Sequence, residues 1–188
     1  MTTTKSANES TVTVGSVKVQ MFSGGSGPPL LYLHGAGGNA GWQPYHQALA
    51  GKHKVYAPSM PGFNGTPRPN WLFTITDVAH FNLEMVQALG IDNFILMGSS
   101  MGGWVAAEMA AMSHHGLKGL VLIDAVGIKP QKGQIAERFM VSAQTRLKQR
   151  FYDTSQVANY EQYAKEMTPA EAGVEHSNRE MASRLCWK

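Results

Sequence analysis

The residues with the clearest chemical potential lie in Gly98-Ser99-Ser100-Met101-Gly102, a G-x-S-x-G pattern. It follows the short apolar run Phe94-Ile-Leu-Met97 and leads into Trp104 to Met112, a stretch of helical length rich in small residues. The context therefore reads strand, turn, helix. Such a turn holds its central serine in a strained conformation with the hydroxyl outward. The glycines two before and two after remove side chains that would collide with neighbouring backbone. Ser100 is the candidate nucleophile. The Met101 N–H, at the start of the helix and backed by the positive end of its dipole, is a candidate oxyanion donor. An earlier loop, Leu33-His34-Gly35-Ala36-Gly37-Gly38, also follows an apolar run. Glycine there lets the backbone turn an N–H toward the serine, and the Ala36 N–H is the candidate second donor.

Other polar residues carry weaker signals. Asp124 follows the run Leu120-Val-Leu-Ile123 and is a candidate acid, against the plainer reading of a polar strand end that fixes the adjoining loop. His34 reads as loop-shaping rather than as a base, and His80 with Glu84 as an exposed pair on one helix. Trp42 and Trp104 suit either an acyl pocket or ordinary packing. Gly35-Ala-Gly37-Gly-Asn-Ala40 matches the G-x-G-x-x-A of dinucleotide sites, but Val55 to Met60 lacks the acid that would bind the ribose. There is no H-E-x-x-H, no Walker A and no clustered ligand set, so neither a metal nor a cofactor is expected.

Positioning these groups requires a sheet. Thr11 to Phe22 alternates apolar and polar residues around Gly15-Ser16, which predicts a half-exposed hairpin at a sheet edge. Leu30-Leu-Tyr-Leu33, Lys54-Val-Tyr-Ala57, Phe94 to Met97 and Leu120 to Ile123 are short apolar runs bounded by turn residues and predict buried, mostly parallel strands. Asp77 to Leu89 carries Val78, Phe81, Met85 and Leu89 at helical spacing and closes at Gly90. Residues 1–130 hold 13 charged side chains and residues 131–188 hold 16, which sets a boundary near Lys129-Pro130. Residues 1–128 are thus expected to form an α/β core and residues 129–188 a helical appendage. In that appendage Ala136, Met140, Ala143, Leu147 and Phe151 predict one helix. Thr154 or Ser155 would cap a second bearing Val157, Tyr160 and Tyr163, and Thr168-Pro-Ala-Glu171 forms a capping box for a third.

With 188 residues, 43% hydrophobic and 15% charged, the chain has the composition of one globular domain. A net charge of +3 gives no basic face, so nucleic acid is not an expected partner. No apolar run approaches the ~18 residues of a membrane span. Met1 to Ser10 is polar without an apolar run behind it. The single cysteine, Cys186, rules out an intrachain disulfide and fits a reducing compartment. A cytoplasmic protein is expected, with its oligomeric state open.

The elbow at Ser100, the His34-Gly35 loop, Pro61-Gly62-Phe63 after the next strand, Leu120 to Asp124 and the helical segment 129–188 together resemble the α/β-hydrolase family, in particular serine-nucleophile members that cleave esters or carbon–carbon bonds of ring-cleavage products. The resemblance implies a mostly parallel α/β-hydrolase sheet with a helical cap. It also implies a serine acyl-enzyme, a small apolar ester or acyl substrate, and a triad in the order serine, acid, histidine. Downstream of Ser100 the chain offers only His114, His115 and His176. The first two read as solvated residues near a helix C-terminus, and nothing orients the third. The closing strands that would carry acid and base are missing, so the chain is expected to be truncated and nearly inactive by itself. A hydrolase-like module that binds a small ligand without turnover is the alternative.

Overall fold

A computed structural model describes residues 7–136, 139–158, 160 and 166–186. Two compact units are present: Met1–Gly127 together with Glu175–Lys188, and Ile128–Val174. The first unit is built on a six-stranded mixed sheet. Its strands are β1 (Asn8–Val14), β2 (Val17–Gly24), β3 (Pro29–Leu33), β4 (Lys54–Pro58), β5 (Phe94–Ser99) and β6 (Leu117–Ile123). They lie in the order β1-β2-β4-β3-β5-β6. The β1–β2 hairpin, turned by Gly15 at a φ of 57°, pairs antiparallel with itself and with β4, while β3–β4, β3–β5 and β5–β6 are parallel.

The hairpin stands at one edge, as its alternation predicts. β3 sits inside the sheet, with Leu30, Leu31 and Leu33 at 1% exposure or less. The register places Leu33 opposite Gly98, so the loops that follow β3 and β5 leave the sheet side by side at its C-terminal end. That shared exit brings the His34-Gly35 loop to the serine turn, the usual ligand-binding position in open α/β sheets.

Helix α2 (Ile75–Ala88) begins at Thr74, whose hydroxyl accepts from the Asp77 N–H at 3.1 Å while the Asp77 carboxylate accepts from the Thr74 N–H at 2.8 Å. It buries Ile75, Val78, Ala79, Phe81, Met85 and Val86, each large side chain worth ~1.5–3 kcal/mol of transfer free energy. Helix α3 (Met101–Met112) follows β5 directly and buries Met101, Val105, Ala106 and Met109. The short helix α1 (Pro44–Leu49) escapes the sequence reading because its six residues are too few to show a period.

The C-terminal third departs from the predicted helices. Among the described residues of the stripe from Ala136 to Phe151, only α4 (Ala143–Lys148) is helical. Ser142 is extended and its Oγ accepts from the Thr145 N–H at 3.1 Å, so the helix starts there. Met140 is left 74% exposed. Asp153, rather than Thr154 or Ser155, caps the next turn, a 3-10 turn over Thr154–Gln156. Val157 is extended after that turn and its carbonyl accepts from the Tyr160 N–H at 3.2 Å, while residues 161–165, with Tyr163, lie outside the described residues. The third prediction holds: in α5 (Pro169–Cys186) the Thr168 N–H donates to Glu171 Oε2 at 2.7 Å and the Glu171 N–H to Thr168 Oγ1 at 3.3 Å. Residues 175–188, which the charge pattern groups with the appendage, pack with the sheet unit.

β6 forms the other edge, and its last four residues Leu120, Val121, Leu122 and Ile123 are 38–45% exposed. An unpaired apolar edge of this kind templates pairing with other chains. The 188-residue chain should therefore associate with rising concentration in light scattering, and Val121→Lys should lower that association markedly. A chain that stays monomeric at high concentration, with or without the lysine, would contradict this.

Candidate active site

The serine turn is built by close backbone approach. A Cβ on Gly98 would run into the Gly102 carbonyl, and one on Gly102 into the carbonyls of Leu33 and His34. Glycine at these two positions is what lets α3 pack against the ends of β3 and β5. Ser100 has φ 53° and ψ −117°, a left-handed conformation that a non-glycine residue holds only when its surroundings enforce it. They do so on both sides: the Ser100 N–H donates to the Ile123 carbonyl at 2.8 Å, and the Ser100 carbonyl accepts from the N–H groups of Gly103, Trp104 and Val126 at 3.0–3.2 Å. The residue is half-buried.

Ser100 also precedes the first residue of α3, Met101. The first N–H groups of a helix have no partner within it and carry the positive end of its dipole. The Met101 amide is the first of these groups and follows Ser100 directly in the chain. Across from it lies Gly35, where a Cβ would stand 3.2 Å from Ser100 Cβ and 3.8 Å from its Oγ. The Gly35 carbonyl accepts from the Gly38 N–H at 3.1 Å, closing a turn over Ala36 and Gly37. That closure uses the Gly38 N–H and leaves the Ala36 amide outside the bond, on a partly exposed residue.

His34 has both ring nitrogens engaged. Nδ1 pairs with the Gly35 carbonyl at 2.8 Å, and Nε2 accepts from the Met60 N–H at 2.9 Å, which puts the ring proton on Nδ1. Burial lowers its pKa to about 4, against a smaller opposing effect of the Gly35 hydrogen bond. The ring packs edge-on against Phe63 with centroids 5.1 Å apart. His34 is therefore a neutral brace for the loop beside Ser100.

Asp124 lies one residue beyond β6, at φ 45° and exposed. Since Ser99 pairs with Ile123, the last residue of β6, Asp124 begins the loop that leaves the sheet next to the serine turn. His114 and His115 are exposed beyond the far end of α3, about 20 Å along the helix from Ser100 at ~1.5 Å per residue. His176 is exposed on α5, where its charge acts on Glu180. His80 and Glu84 are both exposed on α2. The tryptophans are spoken for by packing: Trp42 lies over Gly24 and donates to Gln47 Oε1 at 3.0 Å, and Trp104 lies against Gly127 and donates to Glu108 Oε1 at 3.3 Å. Among the described residues no group of three His, Cys, Asp or Glu is gathered for a metal. Among the described residues no helix is long and apolar enough to cross a membrane.

The model of the alpha/beta hydrolase fold matches residues 28–187. The chain belongs to the α/β-hydrolase family. It is 32% identical over 123 residues to the 2-hydroxy-6-oxo-2,4-heptadienoate hydrolase of Pseudomonas putida, covering 62% of this chain and 44% of that protein. It is 30% identical over 115 residues to the 1-acylglycerol-3-phosphate O-acyltransferase ABHD5 of Homo sapiens, covering 58% of this chain and 33% of the other. The matches thus span less than half of either curated relative. Among solved structures, the 2-hydroxy-6-oxo-6-phenylhexa-2,4-dienoate hydrolase of a Rhodococcus strain superposes with a TM-score of 0.71 at 20% identity, over 95% of this chain and 72% of that one. The α/β-hydrolase sheet read from the sequence is therefore present, and it is partial beside these longer neighbours.

Two predictions follow from the packing. Gly102→Ala forces a methyl group into two carbonyls and should lower stability by at least ~1–3 kcal/mol, read as a fall in the urea midpoint. The second concerns pH. His34 and the buried His46, also lowered to about 4 by burial, have an ordinary value of 6.5. The unfolded chain binds their protons first, so stability is full above about pH 6.5 and falls as pH drops toward 4, by on the order of a few kcal/mol in all. His46→Phe should flatten part of that fall between pH 7 and 5. An unchanged slope would show that His46 does not contribute to it.

Proposed function

We propose that this α/β-hydrolase chain carries the nucleophile half of a serine hydrolase acting on a small apolar ester or related acyl substrate, carbon–carbon bonds beside a carbonyl included. The observation that carries the reading is the conformation of Ser100: left-handed, fixed by hydrogen bonds on both sides, and placed between a helix N-terminus and a glycine loop. Strain held this firmly at a helix entrance suits a hydroxyl that must face outward to attack.

In this reading Ser100 Oγ attacks the substrate carbonyl and forms an acyl-enzyme, which water then hydrolyses. The Met101 and Ala36 amides stabilise the oxyanion of each tetrahedral intermediate. Proton transfer calls for a histidine oriented by a carboxylate. His34 does not suit that role, because both of its nitrogens are already bonded. Asp124, which begins the loop that leaves the sheet next to the serine turn, is the candidate acid. Ile128–Val174, rather than the whole of 129–188, is the segment assigned the cap role, and neither metal nor cofactor takes part. The named activities of the relatives, two dienoate hydrolases and one acyltransferase, support acyl chemistry and leave the substrate broad.

The test is covalent labelling with a fluorophosphonate probe followed by peptide mapping. Label is expected on Ser100, and Ser100→Ala should reduce both labelling and p-nitrophenyl ester turnover to background. Label on Ser99 would overturn the assignment. Saturable ester binding with no label and no turnover would favour the ligand-binding alternative. The 188-residue chain should show only a small remnant of turnover, because an oxyanion site without a base still accelerates acyl transfer only weakly.

A further inference from the structure

Three asparagines from distant parts of the sequence meet behind the loop that follows β3. Asn178, on α5 and 2% exposed, donates from Nδ2 to the Gly37 carbonyl at 3.0 Å and accepts at Oδ1 from the Asn64 N–H at 2.9 Å. Asn64, itself left-handed at φ 51°, accepts at Oδ1 from the Asn39 N–H at 2.6 Å. The Asn39 side chain donates to the Ala57 carbonyl at the end of β4 at 2.9 Å and accepts from the Gly41 N–H at 3.1 Å. A Cβ on Gly38 would collide with both Asn178 Nδ2 and Asn64 Oδ1, so the amides pass directly over that residue.

The loop these groups hold contains glycine at 35, 37 and 38, the residue type that loses most conformational freedom on ordering. Left alone, peptides between glycines turn readily, and one such turn would point the Ala36 N–H away from Ser100. His34 and the Gly38 N–H fix the Gly35 carbonyl from one side. Asn178 fixes the Gly37 carbonyl, and Asn64 the Asn39 amide, from the other. The Gly35–Ala36 peptide, which carries the Ala36 N–H, is thus held through its carbonyl by His34 and the Gly38 N–H, and Asn178 fixes the Gly37–Gly38 peptide that supplies that N–H. A buried side-chain amide with both ends bonded to backbone costs most when only one partner is removed.

We propose that Asn178 is a positioning residue that holds the glycine loop in the orientation presenting the Ala36 amide to Ser100. The proposal rests on the serine-hydrolase reading for its chemical consequence, and on the hydrogen bonds alone for its structural one. α5 thereby does more than cover apolar surface: it sets the geometry of the oxyanion donor from a position far along the chain.

The experiment compares the wild-type chain with Asn178→Ala, Asn178→Asp and Met181→Ala. Asn178→Asp keeps the acceptor for Asn64 and loses the donor to Gly37. Met181→Ala loosens the same helix against Gly62, which Met181 faces, and leaves the amides in place. Backbone hydrogen exchange is read by NMR at Gly38 and Asn39, with β3 and β5 as internal reference. Both asparagine variants should exchange at least tenfold faster at Gly38 and Asn39, with the strands unchanged, and Met181→Ala should change these sites less than twofold. Fluorophosphonate labelling of Ser100 should slow at least tenfold in the asparagine variants and less than twofold in Met181→Ala. Unchanged loop exchange in Asn178→Ala, equal effects in Met181→Ala, or asparagine variants that fail to fold while Met181→Ala folds would each overturn the positioning role. Faster loop exchange with unchanged labelling would overturn its link to the oxyanion. A wild-type chain that takes no label on Ser100 would count against the nucleophile reading instead, and the exchange data would still decide the clamp.

Discussion

Everything at the candidate site depends on one close approach, that of the first turn of α3 to the ends of β3 and β5. Gly98 and Gly102 bring carbonyl and Cα atoms where no side chain fits, and Ser100 is bent into the left-handed region as the chain reverses between them. The strain of that residue, of order 1–3 kcal/mol, is held by surrounding hydrogen bonds rather than relieved. From this contact the remaining geometry is derivative. β5 must be interior for the turn to be gripped from both sides, β3 must be its neighbour for the glycine loop to reach the serine, and α3 must start at Met101, directly after the serine.

The electrostatics follow the same arrangement. The helix N-terminus that follows Ser100 carries partial positive charge and adds no full charge to a half-buried site. His34 fits this pattern because it is neutral. A protonated imidazole there would lose its acceptor for the Met60 amide, and burial already disfavours the charged form. Its donation to the Gly35 carbonyl leaves the loop with one fewer unsatisfied acceptor, and Asn178 does the same for Gly37. The loop beside Ser100 is thus held by neutral hydrogen bonds, with its amides directed by the carbonyls that are pinned.

Much of this was legible in the sequence, for local reasons. The serine turn, the glycine loop, the hairpin and every strand are written as short-range patterns, and each appears where the pattern put it. The helix boundary at Ser142 was missed because an apolar stripe continued through it: periodicity measures a face, while a single cap residue decides where a helix begins. Asn178 was invisible for a different reason. An asparagine inside a helix carries no local signal, and its partners lie 114 and 141 residues away in sequence. His34 was read as loop-shaping from its position, and the two bonds on its ring are the physical content of that reading. The histidine that the chemistry calls for could not be read from spacing, since none of the described ones is tied to Ser100.

The two edges of the sheet show how unevenly this fold is protected, and why that bears on the serine. β1 alternates, presenting Glu9, Thr11 and Thr13 outward, the polar pattern that discourages another strand from pairing. β6 has no such alternation: Leu120 to Ile123 is written as a strand covered on both faces, and it stands partly exposed on both. The carbonyl of its last residue, Ile123, receives the Ser100 amide, and the turn after it returns the Val126 amide to Ser100. The least protected strand is therefore one jaw of the grip that holds Ser100 in its strained conformation. Local opening of β6 would release that grip before it disturbed β3, β4 or the buried face of α2, because those elements are packed from both sides. Covering the edge and keeping Ser100 strained are thus a single requirement, and whatever pairs with β6 stabilises the site without touching the substrate.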